Sequence, residues 1–283
     1  MNIVFITMDG ARVDRMFNAP NYSNLISKSA FFSKVIAYAP FTIAAMHAVF
    51  SGTYGFKNGV NSYWKTPNFK KTIYKTLPKF LNDNGYRTFG DSINKLILPP
   101  DGFDELNIHD ELNDNLTERH KLLLEKMKKL KQSDDSFFLY LHYSKIHTGI
   151  MQKVLKKYDN FSEEYFSNKE KNAKFYDELF QNADKYLGEI FQHFKFLGLD
   201  EDTLLVVISD HGISTGEKFG ERAYGVFCYD TTLISTALFY SPGISPLILK
   251  NQVRSIDILP TILEYLSIPL DGTFAKMDGE SLV

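Results

Sequence analysis

A carboxylate and an imidazole stand side by side in Ser209-Asp210-His211-Gly212, directly after the apolar run of residues 204–208. In open α/β sheets, functional sites form where such buried strands end. Neighbouring residues of a regular strand face opposite ways, so Asp210 and His211 can serve one site only if the chain turns there. Gly212 permits that turn. By itself, the triplet is also explained by a turn without chemistry.

A second apolar run, residues 4–8, ends in Asp9 and Gly10. Asp9, Asp210 and His211 together offer two carboxylates and an imidazole, a set that suits zinc or manganese better than calcium. Three protein ligands leave positions open for a nucleophile and a substrate oxygen, as a catalytic metal site requires. Taken alone, Asp9 is equally well explained as a cap of the following turn.

Thr42 stands at the start of a helix-like run. Most threonines in that position only cap the helix. A helix N-terminus, however, also stabilises an alkoxide and an anionic substrate through its free N–H groups and its dipole. A threonine hydroxyl is a poor nucleophile unless a base or a metal activates it. A metal held by Asp9, Asp210 and His211 would supply that activation.

Short apolar runs, typical of buried strands, alternate along the chain with segments of helical periodicity. This alternation favours an α/β fold with a mostly parallel central sheet between helices, and these elements must position the residues named above. The predicted strands cover residues 3–7, 31–38, 87–90, 137–142, 204–209 and 234–240. The predicted helices cover residues 21–28, 43–50, 72–82, 116–131, 171–196 and 256–266. Residues 99–102 and 145–167 are predicted to be loops.

The composition of the 283-residue chain, with 44% hydrophobic and 14% aromatic residues, is typical of a globular protein with a large core. The net charge of −2 gives no electrostatic case for binding nucleic acid or an anionic membrane. The single cysteine, Cys228, excludes an internal disulfide framework and a cysteine-based zinc cluster. No apolar stretch approaches the roughly 20 residues that span a bilayer. We see no signal peptide and therefore expect a cytoplasmic protein.

Together, these segments resemble the alkaline phosphatase superfamily, in particular its sulfatase and phosphodiesterase branches. The run from Asp9 to Asp14 looks like the opening of the phosphodiesterase branch, whose first aspartate binds metal. Residues 209–212 are similar to the family's Ser-Asp-His-Gly, in which the aspartate and histidine bind metal. Thr42 stands where the family places its nucleophile, and residues 255–263 look like the sulfatase ending. The resemblance implies the alkaline phosphatase-like fold.

The stretch that begins at Thr42 departs from the sulfatase pattern. Sulfatases of this family make a formylglycine from a Cys or Ser in a Cys/Ser-x-Pro-x-Arg motif, whereas residues 42–46 read Thr-Ile-Ala-Ala-Met. Threonine at this position resembles the phosphodiesterases and the phosphoethanolamine and glycerophosphate transferases. The resemblance therefore implies phosphoryl chemistry. Gly10 stands where sulfatases often carry a second aspartate, which again disfavours calcium.

The resemblance also points to three further site residues. His147 lies where sulfatases carry a substrate-contacting histidine, and it would bind the transferred group or protonate the leaving oxygen. Lys95 matches the lysine of the sulfatase Gly-Lys-Trp-His segment, and Arg222 lies near the place of a substrate-binding basic residue. The alternative for His147 is a surface histidine without a function, and the alternative for Lys95 and Arg222 is a solvated cation in a loop. His142, nearer its strand, is expected to be structural.

The resulting prediction is a metal-dependent phosphomonoester or phosphodiester hydrolase, or a phosphoryl transferase, in which Thr42 attacks phosphorus and His147 assists the leaving group. The ligands Asp9, Asp210 and His211, with Thr42, support one site for zinc or manganese and leave a second metal open. A small molecule, a glycan or a lipid could carry the phosphate. Two alternatives stay open: a sulfatase without formylglycine, and a non-catalytic member that binds a metal and phosphorylated ligands.

The whole chain, residues 1–283, is expected to form a single catalytic domain that lacks most of the C-terminal subdomain usual in sulfatases. No composition shift marks a domain boundary. The sequence leaves the oligomeric state and the exact substrate open.

Overall fold

The computed structural model describes residues 1–133, 135–269 and 277–283. The strands in these residues form one nine-stranded sheet with the order β4-β3-β5-β1-β6-β7-β2-β8, and β9 pairs with β2. The strands are β1 Asn2–Met8, β2 Ala30–Ile36, β3 Arg87–Ser92, β4 Glu105–Ile108, β5 Phe137–Tyr143, β6 Thr203–Ile208, β7 Ile234–Tyr240, β8 Leu247–Leu249 and β9 Val253–Arg254. Only the pairs that β7 forms with β6 and β2 are antiparallel.

Helices flank this sheet, so the predicted α/β fold with a mostly parallel sheet is confirmed. The helices are α1 Val13–Met16, α2 Pro20–Ile26, α3 Thr42–Ser51, α4 Gly55–Asn58, α5 Leu77–Asp83, α6 Leu116–Gln132, α7 Lys145–Ile150, α8 Glu163–Ser167, α9 Lys169–Phe196, α10 Asp230–Leu233 and α11 Ile258–Tyr265. Across the described ranges, no helix is both long and apolar enough to cross a bilayer.

The prediction of a loop over residues 145–167 is wrong. The segment folds into α7, a π-helical turn at Met151–Leu155, and α8. Ile146, Ile150 and Val154 are buried there at a spacing of four residues, which is the period of a helix face. The polar residues and the glycine between them obscure this pattern in the sequence.

The predicted helix over residues 72–82 begins later, at Leu77. Thr76 caps it, since its hydroxyl accepts a hydrogen bond from the Lys79 N–H at 3.3 Å. The strands β4, β8 and β9 were not predicted, because they are short and none has the fully buried apolar run of a central strand.

Strand β1 occupies the centre of the sheet, is buried at every position, and runs parallel to β5 on one side and β6 on the other. The register pairs Thr7 with both His142 and Ile208. The carboxyl ends of the three strands therefore meet at one edge, where α/β sheets place their sites. Asp9, His142 and Asp210 are thereby brought to one place.

Helix α3 is buried along its whole length, and it carries a histidine, His47, with no exposed surface. The His47 Nδ1 lies 2.8 Å from the Ile43 carbonyl oxygen, so this nitrogen carries a proton and donates a hydrogen bond to that oxygen. Burial lowers the pKa of His47 from 6.5 to about 4, because a charged ring would have to leave water.

We expect His47 to make the protein sensitive to mild acid. Between pH 6.5 and 4 the unfolded chain binds a proton at His47 that the folded chain does not bind, so the free energy of unfolding rises with pH in that window. Lowering the pH from 7 to 5 should remove about 2 kcal/mol of stability through this residue. Urea unfolding at both pH values, for the wild type and His47→Leu, measures the difference. An equal pH dependence in the two proteins would contradict this expectation.

Candidate active site

Asp9 and Gly10, which follow β1, connect the ends of the three central strands. The Asp9 N–H donates to the Tyr143 carbonyl oxygen at 3.1 Å, and the Gly10 N–H donates to Asp210 Oδ1 at 3.1 Å. Gly10 adopts φ +76°, and a Cβ there would lie 2.9 Å from the side chain of Ile213. The left-handed backbone favours glycine at this position, and Ile213 would have to shift to admit a side chain.

The chain bends at Asp210, directly after β6, and Gly212 packs closely against α10, just before β7. The Gly212 N–H donates to the Thr232 carbonyl oxygen at 2.9 Å, and a Cβ on Gly212 would lie 2.2 Å from the Thr231 oxygen. The His211 Nδ1 lies 2.9 Å from the Gly212 carbonyl oxygen, so it must carry the ring proton. The Nε2 is therefore the free nitrogen, as a metal-binding imidazole needs.

All four residues predicted as metal ligands lie together. The His211 Nε2 is 3.3 Å from Thr42 Oγ1, 3.5 Å from Asp210 Oδ2 and 3.7 Å from Asp9 Oδ1. Thr42 Oγ1 is also 3.4 Å from Asp9 Oδ2. Thr42 is the first residue of α3 and Phe41 is the cap residue, so the interpretation of Thr42 as a cap is wrong. Its hydroxyl faces the site instead.

Two buried oxygens of this group, Asp9 Oδ1 and Asp210 Oδ2, have no hydrogen-bond partner in the described structure. Burial, and then the charge of Asp9, raises the pKa of Asp210. Burial also tends to raise the pKa of Asp9, but the neighbouring His147 and His142 outweigh it and lower this pKa overall. Two buried carboxylates with unsatisfied oxygens are costly unless a cation balances them. The donor set of carboxylates, imidazole and hydroxyl therefore fits a divalent metal ion.

His142 is a site residue that sequence reasoning missed. Its Nε2 lies 3.1 Å from Asp9 Oδ2, and its Nδ1 lies 2.9 Å from the hydroxyl of Tyr140. This contact orients the Asp9 carboxylate, as groups behind a metal ligand commonly do. The pairing of Thr7 with His142 places this histidine beside Asp9, but the strand register cannot be read from a single sequence.

His147 reaches the site from α7, as the resemblance implied. Its Nδ1 lies 3.7 Å from Asp9 Oδ2 and 2.9 Å from the hydroxyl of Tyr224, and its side chain is 21% exposed. The Tyr224 ring also packs against the His211 ring, with centroids 4.9 Å apart. Tyr224 was not predicted, because it lies in an irregular loop after β6 that shows no periodicity.

Lys95 and Arg222 do not join the other predicted site residues. Lys95 is exposed and lines a separate surface cleft with Thr66 and Pro100. It follows β3, which β5 separates from β1. Arg222 is half-buried, and its Nη2 faces the Leu155 carbonyl oxygen at 3.5 Å. The hydrogen bonds and ion pairs of the described residues join neither cation to the Asp9 cluster, so their predicted phosphate contacts gain no support.

Arg12 forms an ion pair with Asp14 at 2.7 Å, and it also reaches a second carboxylate. Arg12 Nη1 donates to Glu217 Oε1 at 2.5 Å and to the Ile213 carbonyl oxygen at 2.9 Å. Burial alone would raise the pKa of Glu217, but the Arg12 guanidinium lowers it to about 2. Arg12 thus fastens the loop after β6 to the end of β1.

A second buried trio, Asp91, His109 and His120, has ligand types like those of the first but differs in its hydrogen bonds. Asp91 Oδ2 contacts His109 Nδ1 at 2.8 Å and His120 Nε2 at 3.0 Å, and Arg119 donates to Asp91 Oδ1 at 2.8 Å. The outer ring nitrogens meet the hydroxyls of Ser144 and Tyr186. No atom of this trio is left without a partner and a guanidinium balances its charge, so it needs no metal.

Comparison with known proteins agrees with this geometry. The family model described as Sulfatase matches residues 1–268. Bovine (Bos taurus) arylsulfatase K is 34% identical over 121 residues, which cover 42% of this chain and 22% of the bovine protein. The human (Homo sapiens) arylsulfatase K matches over the same shares at 34% identity. The match thus spans about a fifth of the length of these curated relatives.

Solved structures agree on the fold. The lipoteichoic acid synthase LtaP from Listeria monocytogenes superimposes with a TM-score of 0.75 at 18% identity, over 98% of this chain and 74% of that chain. An alkaline phosphatase superfamily protein from Vibrio parahaemolyticus gives a TM-score of 0.72 at 18% identity, over 99% and 69%. The resemblance drawn from the motifs is confirmed. The chain belongs to the sulfatase family.

Proposed function

We propose that this chain is a divalent-metal-dependent hydrolase of a sulfate or phosphate ester, with the Thr42 hydroxyl as its nucleophile. One observation carries the proposal. The Thr42 oxygen lies 3.3 Å from the free nitrogen of His211 and 3.4 Å from Asp9, beside two buried carboxylate oxygens that lack partners. A hydroxyl placed among such ligands is arranged for attack.

The side chains divide the reaction between them. The free N–H groups at the start of α3 favour an anionic ester beside Thr42. A divalent metal, when bound, lowers the pKa of a hydroxyl and neutralises charge on a substrate oxygen. The Thr42 hydroxyl loses its proton to water, its oxygen bonds to sulfur or phosphorus, and the bond to the leaving oxygen breaks. That oxygen accepts a hydrogen bond from His147 and takes up a proton from water. Water then cleaves the threonine ester, releases the inorganic anion and restores Thr42.

Sulfate esters are the substrate that the comparisons favour. The family model is that of sulfatases, and the matching relatives are named arylsulfatases. Hydrolysis would proceed without formylglycine, since residue 42 is a threonine and its Cβ methyl group prevents conversion to an aldehyde. This is the alternative that the sequence left open, and it now has more support than the phosphoryl prediction.

Phosphate esters are the second candidate, and Thr42 is the observation that favours them. An unmodified hydroxyl nucleophile is the feature by which the motif resembles the phosphodiesterase and transferase branch. Delivery of the group to an alcohol instead of water would make the protein a transferase. Zinc or manganese is proposed over calcium, because an imidazole is among the ligands.

A panel of p-nitrophenyl esters tests the proposal. The protein is stripped with a chelator, supplied with zinc, manganese or calcium singly, and assayed on a sulfate, a phosphate monoester, a phosphodiester and a phosphonate. We expect release that the chelator abolishes and zinc or manganese restores. Release from the sulfate alone would select the sulfatase reading, and release from a phosphorus ester would select the phosphoryl reading. If the protein binds metal and hydrolyses none of these esters, the hydrolase proposal is contradicted.

A further inference from the structure

We propose that Tyr224 is a positioning residue that fixes the tautomer of His147, so that the His147 Nε2–H can donate a hydrogen bond to the leaving oxygen. The consequence for catalysis rests on the proposed function. The tautomer itself is a property of the protein and can be measured whether or not an ester is hydrolysed.

The contacts of the two side chains carry the proposal. The Tyr224 hydroxyl lies 2.9 Å from His147 Nδ1, and the two ring centroids are 5.5 Å apart. The Tyr224 ring is itself held against the ring of His211, at 4.9 Å. One tyrosine thus bridges a candidate metal ligand and the candidate hydrogen-bond donor.

The donors and acceptors available to the two side chains decide which of them donates in this hydrogen bond. The Tyr224 hydroxyl has one hydrogen to donate, and His147 Nδ1 is the acceptor that the described residues offer it. If Nδ1 carried the proton, the tyrosine hydrogen would be left without a protein acceptor in a buried place. Asp9 Oδ2, at 3.7 Å, is too far from Nδ1 to accept a hydrogen bond. The Tyr224 hydroxyl therefore donates to Nδ1, and the neutral ring is protonated at Nε2.

The loop that carries Tyr224 is held firmly enough for this role. The Ser214 N–H donates to the Ala223 carbonyl oxygen at 2.6 Å, directly beside Tyr224. On the other side, Glu221 Oε2 accepts the N–H groups of Val226 at 3.2 Å and Phe227 at 2.6 Å. Tyr224 is only 7% exposed, so its ring has little freedom to turn away.

The first test is an NMR measurement of the tautomer. Protein labelled with ¹⁵N-histidine is studied at neutral pH with zinc present, and the seven histidines are separated by comparison with His147→Gln. We expect His147 to show an unprotonated Nδ1 and a protonated Nε2, and Tyr224→Phe to convert the ring to a mixture of tautomers. A protonated Nδ1 in the wild type, or an unchanged spectrum in Tyr224→Phe, would overturn the proposal.

The second test compares leaving groups. A p-nitrophenyl ester hardly needs a hydrogen bond to stabilise its leaving oxygen, whereas the matching phenyl ester does. We expect Tyr224→Phe to lower kcat on the phenyl ester on the order of tenfold and on the p-nitrophenyl ester by about twofold or less, with KM little changed. An equal loss on both esters would show a merely structural role.

Tyr165→Phe is the matched control. Tyr165 is also buried and contacts the same loop, since its hydroxyl donates to the Ser214 carbonyl oxygen at 3.4 Å, but it touches neither His147 nor His211 in the contacts described. It should change neither the His147 spectrum nor the ratio of the two rates. A wild type that hydrolyses no ester would defeat the proposed function alone, because the NMR measurement would still decide the role of Tyr224.

Discussion

Thr42→Ala is expected to lower turnover on the order of a thousandfold or more, because it removes the oxygen that attacks the ester. The fold should survive, since alanine suits a helix and Thr42 makes no capping hydrogen bond. Metal content should persist, because Asp9, Asp210 and His211 still supply three ligand atoms. Loss of activity with retained metal would separate a nucleophile from a residue that merely supports the site.

Two further variants serve as controls for the Thr42→Ala measurement. Thr42→Ser keeps the hydroxyl and should retain activity within about tenfold, the lost methyl group being a packing change. Lys95→Ala removes a cation that lies in another cleft, and it should leave turnover unchanged. Steady-state rates on the best ester and metal analysis of each purified protein provide the readout. Full turnover in Thr42→Ala would show that the nucleophile is wrongly assigned.

Asp210→Asn is expected to abolish stoichiometric metal binding and yet stabilise the metal-free protein. The Asp210 Oδ1 accepts the N–H groups of Gly10 at 3.1 Å and His211 at 2.9 Å, and an asparagine oxygen can keep both bonds. The change replaces only Oδ2, which has no partner and carries charge next to Asp9. Removing that repulsion should raise the stability of the metal-free protein by about 1 to 3 kcal/mol.

Thermal unfolding with and without zinc measures both effects. Zinc should raise the midpoint of the wild type and leave that of Asp210→Asn unchanged. Asp91→Asn is the matched control, because Asp91 belongs to the fully bonded trio and its charge is paired with Arg119 at 2.8 Å. That variant should lose stability and keep its metal. Undiminished zinc binding by Asp210→Asn would refute the ligand assignment.

Much of the fold was predictable because its central strands carry a strong signal. The apolar runs of β1, β5 and β6 are long and fully buried, and the apolar stripe of α9 repeats at helical spacing. The edge strands β4 and β8 gave no such signal, since they are short and partly exposed. Helix α7 was missed for a different reason, because its buried positions are few and lie among polar residues and a glycine.

The site, like the fold, has residues that the sequence predicts and residues that it does not. Asp9, Asp210 and His211 were predictable because they directly follow buried parallel strands, whose carboxyl ends must meet. The contacts of His142 and Tyr224 depend on strand register and on the path of an irregular loop, which one sequence does not reveal. Lys95 and Arg222 were chosen by similarity to family motifs, and the contacts of the described residues connect neither of them to the Asp9 cluster.

The central place of β1 has a consequence for how the chain acquires its structure. Ile3 pairs with Phe138 and Leu204, so β1 finds its neighbours only after β5 and then β6 have been synthesised. Such distant pairing slows folding and leaves an apolar strand exposed while the chain is incomplete. The ligand set closes only when Asp210 and His211 arrive. Metal binding can therefore report that the centre of the sheet has been completed.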